Sequence, residues 1–404
     1  MKIGDPTYRG AQVHLPLEIV RLITDHVASG HGDAAQTSLW ACCLVSKTWY
    51  AASVAQLYNY PLLSSRNFDL FVRTICPTQR SRRSRVGLEN MIKNLDMSRL
   101  AYDSSNSLTA RLIFRTKLSL ERFTSPAVTF SIASLAPLSK CVNLRQLDLS
   151  TDYYSISVID LLSAIAELKH LTSLSLPKGF HILQDIHSVQ NLRWPENLAR
   201  LRASDVMCFR SVEWDLLIES WPQTLKTVTF PDCPHFTGAD VFLHCEKQAE
   251  HVQRLKLTES RGLGEDSYNL FDILHVFPAL QELIVPADVA RRTLNESPVE
   301  TEEPATRDSP LEILRITPTC HPKWYLDSQG RVNARTDFQS FSRLAVLPRL
   351  RRLEMPDSLT TYDGEGDQQT LFEELSRRIE DRADRDQRAS AGIFLVDDSE
   401  VAEL

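Results

Sequence analysis

No stretch of the 404-residue chain comes near the ~20 consecutive apolar residues that a membrane-spanning helix needs. Met1–Gly10 holds no apolar run of the kind a signal peptide carries. The net charge of −7 argues against a general nucleic-acid binder. Eight cysteines (Cys42, Cys43, Cys76, Cys141, Cys208, Cys233, Cys245 and Cys320) lie scattered, without the dense spacing of a secreted disulfide scaffold. Catalytic motifs are missing too: there is no G-x-x-x-x-G-K-S/T phosphate loop, no G-x-S-x-G elbow and no H-E-x-x-H. Gly262-x-Gly264 alone is too little for a dinucleotide loop. Together these absences point to a non-enzymatic protein without cofactor. They place it in the cytosol or nucleus, with no membrane and no nucleic-acid partner.

What is present is a repeat. Leu144-x-x-Leu147-x-Leu149 puts apolar side chains where a short strand turns them inward. The skeleton returns as Leu171/Leu174/Leu176, Leu198/Leu201/Ala203, Leu225/Val228/Phe230 and Val252/Leu255/Leu257, each copy 27 residues after the last. Looser copies begin at Leu280, Leu311 and Leu350, and a degenerate one is Ile92/Leu95/Met97. Leu118 and Leu120 belong to a poorer copy between that one and Leu144. A period of about 20–29 residues carrying this skeleton is the mark of leucine-rich repeats. Apolar stretches at helical spacing precede the strands, such as Leu161, Leu162, Ile165 and Leu168 before Leu171. One strand and one helix per repeat predict an α/β solenoid with a parallel β-sheet inside and helices outside.

The segment before the repeats reads differently. Pro16 suits a first helical turn, and Ile19, Leu22, Ile23 and His26/Val27 recur on one face. Gly30 and Gly32 break that helix, leaving Ala28–Gln36 as a linker. Ser38 can cap a second helix carrying Leu39, Cys42 and Cys43, and Ser46 a third through Trp49, Ala52 and Leu57. Three helices in under fifty residues make a thin core, so the unit leans on something else.

Leu15-Pro-Leu-Glu-Ile19, Ile23 and Leu44-Val-Ser-Lys-x-Trp49 resemble an F-box, the helical head of substrate receptors in SCF-type ubiquitin ligases. The resemblance implies that Leu15, Pro16, Ile19, Ile23, Leu44, Val45 and Trp49 meet a Skp-type adaptor, and through it a cullin scaffold. The residues themselves also fit the module's own core. On this reading the chain is a substrate-recognition subunit of fungal type, and the repeats bind an unidentified protein target. The alternatives are a non-catalytic repeat scaffold whose F-box-like head has no ligase role, and an enzyme whose site lies in the irregular region His321–Phe341, supported only by a few polar and aromatic residues.

The expected organisation is therefore an N-terminal tail (1–13), a three-helix F-box (14–58) and a helical, basic linker (59–89). A leucine-rich-repeat solenoid follows (90–357), with insertions at 294–310 and 320–341, then a charged C-terminal tail (358–404). Phe68, Phe71, Val72 and Ile75 have helical spacing suited to bracing head against repeats. Arg80–Arg85 reads as a solvated linker before a nuclear signal or phosphate contact. In the tail, Leu371, Phe372, Leu375 and Ile379 fit an amphipathic helix capping the last repeat, and the apolar run Ile393–Val396 has no assigned role.

Two further candidates need weighing. Cys233, His235, His244 and Cys245 offer zinc-type ligands, but their spacing matches no common finger and the repeat register accounts for both cysteines, so no metal is expected. Between the inward leucines, outward residues line the concave face. In its middle stand Arg200, Arg202, Thr227, Thr229, Arg254 and Lys256, four cations with no acid among them. Such a face fits an acidic or phosphorylated target segment; a merely solvated strand face is the plainer alternative.

Overall fold

A computed structural model of the chain describes residues 15–30, 32–77, 87–100, 106–128, 130–151, 156–178, 193–204, 211–231, 247–258, 270–286, 309–317, 344, 347–356, 373, 375–377, 379, 381 and 391–396. The basic run 80–85, the cysteine–histidine group at 233–245, the loop 295–308 and the insertion 320–341 lie outside the described residues.

The head is three helices, α1 (Leu17–Ser29), α2 (Asp33–Val45) and α3 (Lys47–Asn59). Pro16 stands one position before α1, and its carbonyl accepts from the Ile19 and Val20 amides at 3.1 Å each. Ser46 caps α3 as the sequence implies, its hydroxyl accepting from the Trp49 amide at 3.3 Å. The expected linker Ala28–Gln36 is corrected. Helix α1 continues to Ser29 and α2 already begins at Asp33, so Ser38 is inside a helix and caps nothing. The turn closes in three residues because Gly32 adopts φ 89°, a left-handed conformation that a side chain would strain. Asp33 then sits in the first turn of α2, complementing the helix dipole.

The head buries few large side chains; its buried apolar residues are Val20, Leu39, Ala52 and Val54. It is held by its neighbour instead. Helix α4 (Phe68–Ile75) turns Phe68, Val72 and Ile75 inward, and these join Val54 and Leu63 in one hydrophobic core that runs on through the repeats. Hydrogen bonds reinforce the junction: the Lys93 amide donates to Asn59 O at 3.1 Å, and the Leu62 amide to Gln36 Oε1 at 3.3 Å. The expected bracing role of Phe68–Ile75 is what the packing shows.

Beyond the head, the described residues form eleven parallel strands in one sheet, ordered as in the sequence. They are β1 (Asn94–Asp96), β2 (Arg122–Thr124), β3 (Gln146–Asp148), β4 (Ser173–Ser175), β5 (Arg200–Arg202), β6 (Thr227–Pro231), β7 (Arg254–Thr258), β8 (Glu282–Pro286), β9 (Ile313–Thr317), β10 (Arg352–Pro356) and β11 (Gly392–Val396). Between them run α5 (Asn106–Thr116), α6 (Leu135–Leu138), α7 (Val158–Ile165), α8 (Ser211–Ser220) and α9 (Leu270–Val276). This is the α/β solenoid-like arrangement that the repeat predicts.

The central skeleton positions pair in register from strand to strand: Leu95, Phe123, Leu147, Leu174, Leu201, Val228, Leu255, Leu283, Leu314, Leu353 and Ile393. All but Ile393 are buried. The poorer copy is Leu120/Phe123/Ser125, all buried, whereas Leu118 is 61% exposed and takes no part in it. The tail reading is corrected as well. Gly392–Val396 extends the sheet beside β10, so Leu375 and Ile379, both buried, belong to the repeat between β10 and β11 and do not cap the end.

A second ladder, polar, was not evident from the leucines. At the position before the first skeleton residue, Ser119 donates to Glu89 O (3.0 Å), Asn143 to Leu118 O (2.7 Å), Asn197 to Lys169 O (2.8 Å) and Thr224 to Glu196 O (2.9 Å). Each side chain satisfies a carbonyl of the preceding turn, where the chain enters the strand and leaves backbone groups unpaired.

Because each strand's apolar side chain rests on its two neighbours, damage spreads. Leu174→Ala should cost about 2–5 kcal/mol. Leu174→Asp, which buries an unpaired charge, should unfold more than one repeat. Urea denaturation followed by circular dichroism checks this, with the exposed-face change Ser173→Ala as the near-neutral control.

Candidate functional site

The head presents its apolar residues outward. Helix α1 has two faces at helical spacing. Val20 and Thr24 are buried, while Leu15, Ile19, Leu22 and Ile23 are exposed, Leu22 at 64%. Helix α2 ends in Leu44 and Val45, 66% and 65% exposed. Pro16 is exposed, and Trp49 is half-buried. Six of the seven residues matched to the family motif therefore lie open to solvent, and the alternative that they form the module's own core fails for those six. Trp40 (57% exposed) and Tyr50 are further exposed aromatic residues of the head, not singled out in the sequence. Among the described residues, eight of the sixteen exposed large hydrophobics fall within residues 15–50, an apolar density typical of surfaces that bind a partner.

The second surface is the open face of the sheet. Register places Ser173, Arg200, Thr227 and Arg254 in one row, and Ser175, Arg202, Thr229 and Lys256 in the next. Arg200, Arg202 and Arg254 are exposed; Thr227, Thr229 and Lys256 are half-buried. All six expected target-binding residues therefore share one face. Burial, and then the charges of Arg202 and Arg315, push the Lys256 ammonium below its ordinary range. The smaller, coulombic part of that shift reflects the neighbouring cations.

The expectation of four cations without an acid needs one correction. Arg254 Nε lies 3.2 Å from Glu282 Oε2 on the adjacent strand. From there an ion-pair ladder crosses the C-terminal strands. Arg315 reaches Glu282 Oε1 at 3.4 Å and Glu354 Oε2 at 2.9 Å, and Glu354 also accepts from Arg352 Nε. The Arg352 guanidinium in turn sits 4.5 Å from the centre of the Phe394 ring on β11. The C-terminal part of the face is thus neutralised by its own side chains. Glu354 is 6% exposed, so the ladder is partly removed from solvent. Cross-strand pairing in a parallel register of this length was not legible from one strand at a time.

Chemistry-bearing groups elsewhere are few among the described residues. Cys141 is buried, and burial pushes its thiol up to about 12, far from nucleophilic. No group of His, Cys, Asp and Glu among the described residues is arranged to hold a metal ion. No described helix is long and apolar enough to cross a membrane.

With both surfaces in place, comparison with known proteins is informative. No family model matches the chain. It is similar to the F-box protein YDR306C of Saccharomyces cerevisiae, 29% identical over 213 residues, which cover 52% of this chain and 42% of that protein. It is also similar to Protein pof5 of Schizosaccharomyces pombe, 28% identical over 287 residues, or 70% of this chain and 76% of that protein. These similarities support a fungal F-box protein. The exposed apolar surface lies in the three-helix head, and the paired rows of polar residues on the sheet that follows it. The chain spans less than half the length of the first of these relatives.

The ladder yields a prediction. Arg315→Ala should destabilise the protein by on the order of 2 kcal/mol, because it removes the cation shared by the Glu282 and Glu354 carboxylates. Adding Glu354→Gln should recover part of that loss. Denaturation midpoints of the two single variants and the double variant measure the coupling; simple additivity would refute the ladder.

Proposed function

We propose that this chain is the substrate-recognition subunit of an SCF-type ubiquitin ligase. The exposed apolar surface of Leu15, Pro16, Ile19, Ile23, Leu44 and Val45, with half-buried Trp49 at its border, docks on a Skp-type adaptor and so on a cullin scaffold. The sheet holds a protein target, with Arg200, Arg202, Thr227, Thr229, Arg254 and Lys256 as its contact candidates. The chain performs no bond chemistry and needs no cofactor. Its contribution is to raise the effective concentration of target lysines beside a ubiquitin-charged enzyme.

The observation that carries this reading is the outward-facing head. Solvent-exposed leucine, isoleucine, tryptophan and valine side chains crowd a unit whose interior contains Val20, Leu39, Ala52 and Val54. A covering partner gives that arrangement a physical reason, since each such side chain removed from water contributes about 1.5–3 kcal/mol. The repeat array is read as leucine-rich on the 27-residue step of its skeleton. Operation in the cytoplasm or nucleus follows from the same proposal.

Affinity purification with mass spectrometry tests it. Ile19→Asp with Leu44→Asp should lose adaptor and cullin at least tenfold, roughly the effect of removing central contact residues. Both sites are exposed, so stability should move by no more than about 0.5 kcal/mol per site. Adaptor captured without any cullin would favour a scaffold with no ligase role. Capture of both by the double variant at wild-type level would refute the proposed docking surface.

A further inference from the structure

The open face carries a spacing that narrows what the sheet can hold. Strands alternate in side-chain length across β4 to β7: Ser173/Ser175, Arg200/Arg202, Thr227/Thr229, Arg254/Lys256. A trough therefore runs along β6. Its floor is two threonines, and its walls stand on strands roughly 9–10 Å apart, twice the usual strand spacing. Along each wall the cations are two residues apart, about 6.6 Å in an extended strand. An extended peptide repeats same-side side chains at that same interval.

We propose that the trough over β6 takes an extended peptide segment of the target with anionic groups at alternate positions, i and i+2. This rests on the proposal that the sheet holds the target, and it specifies the chemistry of that contact. Arg200 and Arg202 make no ion pair among the described residues and form the wall that meets the anions. On the β7 wall Arg254 is already engaged by Glu282. The ladder from Glu282 to Arg352 bounds the footprint on the C-terminal side, because its cations are already compensated.

Two features favour a peptide over a single-stranded nucleic acid. The floor offers hydroxyls and no aromatic ring for base stacking. The net charge of −7 also disfavours a long polyanion as a whole. The anion can be a carboxylate or a phosphoryl group, since Arg pairs with either.

Fluorescence polarisation with the full chain tests the proposal, using labelled twelve-residue peptides. One carries glutamate at alternate positions, one phosphoserine at alternate positions, one the same glutamates set three and four residues apart, and one glutamine throughout. Alternate anions, of one kind or both, should bind at least about tenfold tighter than the respaced and neutral peptides. Arg202→Glu should remove that advantage, whereas Lys140→Glu, a like change on an exposed lysine away from the sheet face, should leave it. Thermal melting of both variants confirms that they fold. Equal loss in the two variants, equal binding of respaced and alternate peptides, no binding of any peptide, or tighter binding of a single-stranded oligonucleotide would each overturn it. Adaptor capture by the same preparation separates the two proposals: capture without peptide binding overturns the trough alone, and peptide binding without capture overturns the recruitment reading.

Discussion

The structure depends on one repeated contact, the stacking of an inward apolar side chain on its counterpart one strand away. From Leu95 to Leu353 that position is filled by Leu, Phe or Val, each buried between neighbours in a parallel register. A strand's side chains alternate, so fixing this set inside fixes the flanking residues outside. The outward rows are consequently laid out with the regularity of the core. That is why Arg202, Thr229 and Lys256 align, and why Arg254, Glu282, Arg315 and Glu354 can join hands across strands. A shift of one residue in any strand would exchange the two sets and lose both at once.

The head obeys a different constraint. It is too small to bury its apolar residues within itself, and it resolves this by leaning one side on α4 and the first repeats. The Val54, Leu63, Phe68 and Ile75 contacts merge its interior with the repeat core. The Tyr60 hydroxyl lies 3.5 Å from Asp96 Oδ2, at the start of the open face, and burial followed by the Asp96 charge pushes that phenol up. Leu15, Ile19, Leu22, Ile23, Leu44 and Val45 stay exposed. Head and sheet thus share one hydrophobic core.

Much of this was legible in the sequence because it is periodic. A constant 27-residue step locates strands, and the spacing Ile19, Leu22, Ile23 and His26/Val27 locates a helix face. Periodicity reports that a face is apolar; it does not report whether protein or solvent lies beyond it. On α1 the buried face proved to be the narrower one, Val20 and Thr24. Features that depend on neighbours in space were not readable. The Gly32 turn shortened a linker that composition made look long, and β11 emerged from a run too short to carry the skeleton. The ion-pair ladder required the register of four strands. The side chains that stitch one turn to the next (Ser119, Asn143, Asn197, Thr224) are individually unremarkable polar residues, recognisable only once the register is known.

The central claim is a division of labour, with an apolar head that a partner covers and a sheet face left open for another. Hydrogen–deuterium exchange of the full chain, with and without a purified Skp-type adaptor, addresses it most directly. The account predicts slowed exchange in peptides covering residues 15–50 and unchanged exchange in the strands from β3 to β10. Protection centred on the strands, or no change in the head at saturating adaptor, would contradict it.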